Sequence, residues 1–220
     1  MAHIFIVGGA GQIARMMTPQ LIAGGNRVSS LYRHDEQHDQ LADLGATPVR
    51  GDLTQLSPQD MASMLADVQT VIFAAGAGGA GEELTNAVDG EGLEKTVAAA
   101  KEAGVKRIYL ISAFPEAGRN ADLGDGFENY MRVKKMADVH LVQSGLEFVI
   151  IRPGTLGDDG ATGKVSAGLA VPYGTIQRAD VADFIAQTVA TPQIVNTIIE
   201  LAPGNDPIPV AVSALASTTR

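Results

Sequence analysis

Cysteine is missing from all 220 residues. Disulfides, thiolate metal sites and a cysteine nucleophile are thereby excluded, and a reducing compartment is the natural home, so a cytoplasmic location is expected. Long apolar runs are missing too. Stretches such as Ile4-Phe5-Ile6-Val7 and Phe148-Val149-Ile150-Ile151 have the length of a strand and fall far short of a bilayer span, so no membrane association is expected. The segment before the first strand lacks the basic flank, longer apolar stretch and cleavage site of a secretory signal, and export is not expected. Positive charge is in short supply: 16 Lys and Arg stand against 25 Asp and Glu, a net charge of −9. That balance opposes attraction to phosphate backbones, and no basic run or interleaved aromatic stripe offsets it, so the expected partner is a small molecule and not nucleic acid. Of the four histidines only His34 and His38 share an i, i+4 spacing, inside the polar stretch His34-Asp35-Glu36-Gln37-His38. That is the pattern of an exposed helix, and no metal is expected.

What the sequence does hold is rhythm. With 45% hydrophobic residues it can bury a sizeable core, and apolar strand-like runs alternate with helical stretches along its length. Strands are expected near 3–7, 27–32, 46–50, 70–74, 106–112, 147–151 and 196–201, and helices near 11–24, 36–44, 57–66, 86–103, 127–144 and 179–190. Alternation of this kind predicts an α/β fold, a doubly wound parallel sheet with helices on both faces, in one domain over 1–220 with a small C-terminal substrate-side region. Two stretches, 113–125 and 152–177, are rich in glycine, proline and polar residues and follow strands; as loops at the carboxyl edge of a parallel sheet they would shape a substrate.

The first strand runs directly into Gly8-Gly9-Ala10-Gly11-Gln12-Ile13-Ala14 and then into a helical stretch. Small residues at Gly8, Gly11 and Ala14 permit a sharp turn and let the backbone approach a pyrophosphate, whose charge is met by amide groups and the positive end of the helix. Set between a strand and a helix at the start of a βαβ unit, the turn predicts a dinucleotide cofactor. At the end of the second strand, where such folds read the adenosine ribose, stands Arg33. A guanidinium suits a 2′-phosphate, whereas an acidic residue would suit a free hydroxyl, so NADP is favoured over NAD unless Asp35 or Glu36 engages the arginine.

These features, with Gly51-Asp52-Leu53, Val71-Ile72-Phe73-Ala74-Ala75-Gly76, Leu110-Ile111-Ser112 and Ile151-Arg152-Pro153-Gly154, resemble the atypical, NmrA-like branch of the short-chain dehydrogenase/reductase superfamily, whose domain is a Rossmann fold. The resemblance implies that Asp52 and Leu53 border the adenine, Ala74, Ala75 and Gly76 the ribose and pyrophosphate, and Pro153 and Gly154 the nicotinamide, with Gly8, Gly9, Gly11, Gln12 and Ile13 forming the phosphate turn. It also implies a Tyr-x-x-x-Lys pair, present as Tyr130 and Lys134. Four residues along a helix place both side chains on one face, about 6 Å apart along the axis. Tyr130 is then the expected proton donor, with Lys134 lowering its pKa and binding the nicotinamide ribose. One departure stands out. Where family members carry a serine pair after the fifth strand, this sequence reads Ser112-Ala113; Ser112 is the candidate hydroxyl, and the second position is without one.

Three functions fit this reading. The first is an NADP-dependent oxidoreductase that moves hydride between nicotinamide and a small carbonyl or alcohol. The second is an NADP(H)-binding redox sensor that signals to a protein partner without turnover, to which Ala113 lends weight. The third, an epimerase or dehydratase, ranks lowest because these residues include no larger C-terminal substrate domain. The stretch Gln177-Arg178-Ala179-Asp180 is expected to be a capped helix start that packs the C-terminal region.

Overall fold

A strand that reads as an unbroken apolar run should be covered on both faces, and β1 (His3–Val7) is. Ile4 and Ile6 point into one helix layer, Phe5 and Val7 into the other, and all four are fully enclosed. The computed structural model describes residues 1–118 and 121–218, so Arg119 and Asn120 of the expected loop 113–125, and Thr219 and Arg220 at the end, lie outside the described residues.

Parallel to β1 run β2 (Arg27–Tyr32) on one side and β4 (Thr70–Phe73) on the other. The sheet continues outward through β3 (Thr47–Arg50) beyond β2, and through β5 (Arg107–Ile111), β6 (Glu147–Pro153) and β10 (Thr197–Pro203) beyond β4, all parallel. Two antiparallel strands, β8 (Lys164–Gly168) and β11 (Asp206–Pro207), finish a nine-stranded sheet of order β11-β8-β10-β6-β5-β4-β1-β2-β3. Strand order reverses between β1 and β4, and the crevice at their carboxyl ends is where such sheets bind ligands.

One face carries α1 (Gln12–Ala23), α7 (Arg178–Val189) and α8 (Ile208–Thr218). The other carries α3 (Pro58–Met64), α5 (Gly92–Ala103) and α6 (Asp125–Gln143), while α2 (Gln37–Asp43) sits beside β2 and β3. The doubly wound fold expected from the sequence is present, and its principal strands and helices lie within a few residues of the expected ranges. Gly104 closes α5 at a left-handed φ of +73°, the conformation that costs a glycine least.

Three regions differ from the sequence reading. The stretch 152–177 is not one loop: it contains the end of β6, then β7 (Thr155–Gly157), β8 and β9 (Thr175–Gln177), with β7 and β9 paired in a small parallel sheet of their own. These strands have three to five residues, too few to show alternation. The helix expected from residue 86 begins as a short α4 (Glu82–Leu84), widens into a π-helical segment (Thr85–Glu91) and becomes α-helical only in α5. Helix α8 was not foreseen, because Pro209 reads as a breaker; in a first turn its missing N–H costs nothing.

The start of α7 also departs from expectation. Gln177 is the N-cap residue but contributes no side-chain capping bond, and Asp180 does not cap the helix. Its carboxylate, 1% exposed, accepts instead from the N–H and hydroxyl of Thr162 and the N–H of Gly163, at 2.7–3.0 Å. This one side chain fastens the turn after β7 to α7. Asp180→Ala should lower unfolding stability by about 2–3 kcal/mol in urea denaturation, the scale of lost charge-assisted bonds, and Thr162→Ala by about 1 kcal/mol. Equal stabilities would show that the anchor carries no weight.

Candidate functional site

Geometry separates the glycines of the first turn by purpose. Gly8 has φ +81°, and a Cβ there would stand 2.6 Å from the Ala75 backbone; one on Gly9 would stand 2.5 Å from Ser30 Cβ. Both are glycine because neighbouring strands pass too close for a side chain. A Cβ on Gly11 would meet nothing nearer than the Gly8 carbonyl at 3.2 Å, and Gly11 borders open space. As N-cap of α1 it supplies no side chain to the first-turn N–H groups, and that turn holds no acidic residue. Those N–H groups have no intrahelical acceptor and together form an anion seat. Bare backbone, unopposed helix dipole and open space fit a dinucleotide pyrophosphate.

Two hollows meet at this turn. A cleft of 720 Å³ is bordered by Gly11, Gln12, Ile13, Ala74 to Gly76, Ser112, Tyr130, Lys134 and Pro153. A smaller cavity of 310 Å³ is bordered by Gly8, Gly11, Arg33, Asp52, Leu53 and the same Ala74 to Gly76. Most of the residues singled out in the sequence are thus brought together in one continuous region. Gly9 and Gly154 border neither hollow; Gly154 is held against the carbonyl of Gly174, where the chain passes from β6 to β7.

At the smaller cavity Arg33 is exposed, and its Nε donates to His34 Nε2 at 2.9 Å. Asp35 pairs with Arg50 at 2.9 Å instead, and among the described residues no carboxylate forms an ion pair with Arg33. The Asp52 carboxyl loses some solvation, which by itself raises its pKa; hydrogen bonds from the Thr54 hydroxyl and N–H, with the charges of Arg33 and His34, outweigh this and hold it below the usual carboxylate range.

At the larger cleft, α6 presents Tyr130 and Lys134 one turn apart, with Asp138 a further turn along, outside the cleft. Lys134 is 4% exposed; its Nζ donates to the Ile111 carbonyl at 2.8 Å and to Asp89 Oδ1 at 3.3 Å. Asp89 is 2% exposed and comes from the π-helical segment, and its second oxygen accepts from the Ala77 N–H at 2.9 Å. Burial, with the nearby carboxylates of Asp89 and Asp138, pushes the Tyr130 hydroxyl up to about 12. In the protein without cofactor Lys134, held by Asp89, is not among the groups that move the tyrosine; the lowering expected from the ammonium together with an oxidised nicotinamide concerns the loaded site. Burial raises the pKa of Asp138, although Ser112, its partner Arg152 at 2.9 Å and Lys134 pull the other way.

Ser112 borders the cleft, but its hydroxyl is enclosed; among the described residues the group it acts on is the Asp138 carboxylate. Ala113 borders a different hollow, of 440 Å³, beside Arg152 and Asp138. A serine in its place would not line the main cleft, so Ala113 loses its force as an argument against turnover. Sequence reasoning missed Asp89, Asp138 and Arg178. The i, i+8 spacing of Asp138 from Tyr130 was a legible sign; Asp89 had none, since the π-helical turn breaks the helical count.

The sequence profile of the NAD(P)H-binding family matches residues 8–192. The uncharacterized sugar epimerase YhfK of Bacillus subtilis is 32% identical, over 96% of this chain and 99% of its own length. Among solved structures, a putative NAD-dependent epimerase/dehydratase from Bacillus halodurans superposes with a TM-score of 0.88 at 29% identity, covering 97% of this chain and 100% of that one. The oxidoreductase ylbE of Lactococcus lactis superposes with a TM-score of 0.84 at 28% identity, covering 99% and 98%. With its Rossmann sheet, its open glycine turn and this profile match, the chain belongs to the NAD(P)H-binding family of atypical short-chain dehydrogenase/reductase-like proteins.

Proposed function

We propose that the protein is an NADP(H)-dependent oxidoreductase that reduces a small carbonyl compound, with Tyr130 as proton donor. The observation that carries this reading is that a single cleft is bordered by the glycine turn at one end and by Tyr130 and Lys134 along one wall. The bound cofactor would supply hydride to the carbonyl carbon; Tyr130 would give the carbonyl oxygen its proton. Gly11, Gln12 and Ile13 would hold the pyrophosphate, Asp52 and Leu53 the adenosine, and Pro153 the nicotinamide side.

A tyrosine pushed up to about 12 is protonated throughout the neutral range. That suits a group whose first act is to donate a proton, which favours reduction. An epimerase, the activity in the name of the B. subtilis relative, would need the same hydroxyl to start as a base. Lys134 is held by Asp89 and the Ile111 carbonyl in the wall beside the tyrosine, where it can meet a ribose hydroxyl. With the Ser112 hydroxyl enclosed, Tyr130 is left to polarise the carbonyl itself. That same enclosure is the observation in favour of the second reading, a redox sensor that binds NADP(H) and signals to a protein partner.

For cofactor choice, Arg33 without a carboxylate partner favours NADP. NADPH should bind about ten- to a hundredfold more tightly than NADH, the range of one charge-assisted contact of roughly 1.5–3 kcal/mol, and Arg33→Asp should reverse the order. Equal affinities by calorimetry in the unmutated protein would remove the NADP assignment.

For the proton, Tyr130→Phe should leave NADPH affinity unchanged and cut carbonyl reduction by about 10²–10⁴-fold in steady-state assays. In the protein without cofactor the tyrosine keeps its proton to about 12, so the unmutated protein and Tyr130→Phe should show the same tyrosinate absorbance at every pH between neutrality and roughly pH 9. An active protein whose rate survives Tyr130→Phe takes its proton from elsewhere. Lys134→Ala is a poor substitute for this test: it leaves Asp89 buried without its cation, at a stability cost of about 3–5 kcal/mol.

A further inference from the structure

Among the described residues, four ionisable side chains border the main cleft: Asp89, Tyr130, Lys134 and Arg178. Asp89 and Lys134 satisfy each other, and the tyrosine is neutral. Of these four, Arg178 is therefore the full charge whose partner lies outside the cleft. Its side chain is 23% exposed, and Nη1 donates to the Leu156 carbonyl at 3.4 Å and to Asp158 at 2.7 Å. Asp158 is 61% exposed, and an ion pair with so solvated a partner is weak and readily exchanged.

Three further observations converge. A guanidinium has five N–H donors, and among the described residues Nε and Nη2 of the partly exposed Arg178 donate to no protein group, so they are open to a ligand. Arg178 is the first residue of α7, a helix of 12 residues whose N-cap Gln177 makes no capping bond, its side-chain oxygen accepting instead from the Asp159 N–H at 2.8 Å. A cation there adds to the positive end of the helix dipole, the end where anions and not cations are stabilised. Finally, β7 and β9 set Leu156 and Gln177 on neighbouring strands, which fixes the arginine beside Leu156 at the Pro153 end of the cleft.

We infer that Arg178 is the receptor for an oxyanion, phosphate or carboxylate, bound at the nicotinamide end of the cleft in exchange for Asp158. The inference rests on the cofactor reading above, and the anion has two sources: the diphosphate of the cofactor itself, or an acidic group on the substrate. The planar fork of the guanidinium matches either by paired bonds, and Asp158 keeps the cation oriented while the cleft is empty.

The test has two arms, run on the whole protein. Calorimetry compares NADPH with 2′,5′-ADP, which lacks the nicotinamide-side phosphate, on the unmutated protein and on Arg178→Gln. A tenfold or greater loss for NADPH alone assigns the anion to the cofactor. In the second arm, inorganic phosphate is titrated into protein saturated with NADP⁺ while the Arg178 Nε–H resonance is followed by NMR, assigned by its loss in Arg178→Gln. A saturable shift assigns the anion to the substrate subsite. Asp158→Asn, which removes the competing carboxylate and leaves the arginine intact, should tighten binding severalfold in whichever arm responds. If NADPH affinity is the same in Arg178→Gln and phosphate does not shift the resonance, the inference is overturned. If NADPH fails to bind the unmutated protein, the cofactor reading falls instead, and phosphate titrated into the free protein then decides Arg178 alone: a saturable shift sustains the oxyanion site and its absence overturns it.

Discussion

The site depends on one buried ion pair. Lys134, 4% exposed, and Asp89, 2% exposed, have both given up water, and neither could be enclosed without the other and the backbone groups of Ile111 and Ala77. Through these three bonds the pair joins α6, the π-helical segment, the end of β5 and the loop after β4. Tyr130 is one turn from Lys134, so the position of its hydroxyl in the cleft wall follows from where the pair sits. Its high pKa has burial as its first cause, and the Asp89 carboxylate of the pair adds to it. A cofactor hydroxyl brought to Lys134 would have to share the ammonium with Asp89, which makes the acid–base state of the tyrosine a property of the loaded cleft and not of the tyrosine alone.

A second constraint sets where the cofactor can lie. The strand order reverses between β1 and β4, and at that point the backbones of Gly8 and Ala75 pass too close for any side chain. Close packing there leaves Gly11 free of steric duty and its helix end bare. The family turn therefore has two jobs: its first two glycines let the strands pack, and its third leaves a space for the ligand. Arg33, beyond β2, and Arg178, at the start of α7, stand at opposite ends of the region so formed, each without a buried carboxylate partner.

Much of this was legible in the sequence for a physical reason. A parallel sheet covered on both faces forces continuous apolar strands, and helices laid on it force a 3.6-residue period, so β1 to β6 and their helices announced themselves. The glycine turn and the four-residue spacing of Tyr130 and Lys134 are local patterns and were equally plain. Interactions between distant segments were not. Asp89 lies in a π-helical turn, where a count by 3.6 assigns it to the wrong face. Asp180 stands where a helix cap would, yet its carboxylate serves Thr162 and Gly163, 18 and 17 residues away. Arg178 reads as a surface cation at a helix start, and only the pairing of β7 with β9 brings it to the cleft. Those strands, of three residues each, are too short to be seen before they are paired.

The central claim is that the bare helix end at Gly11 is where the dinucleotide is held. Calorimetric titration of Gly11→Val with NADPH, alongside its thermal unfolding, tests it most directly. A branched side chain there would fill the space that the pyrophosphate needs while meeting only the Gly8 carbonyl at 3.2 Å, so the account predicts a protein that unfolds cooperatively near the parent temperature and binds no NADPH. A folded Gly11→Val protein that binds NADPH as tightly as the parent would contradict it.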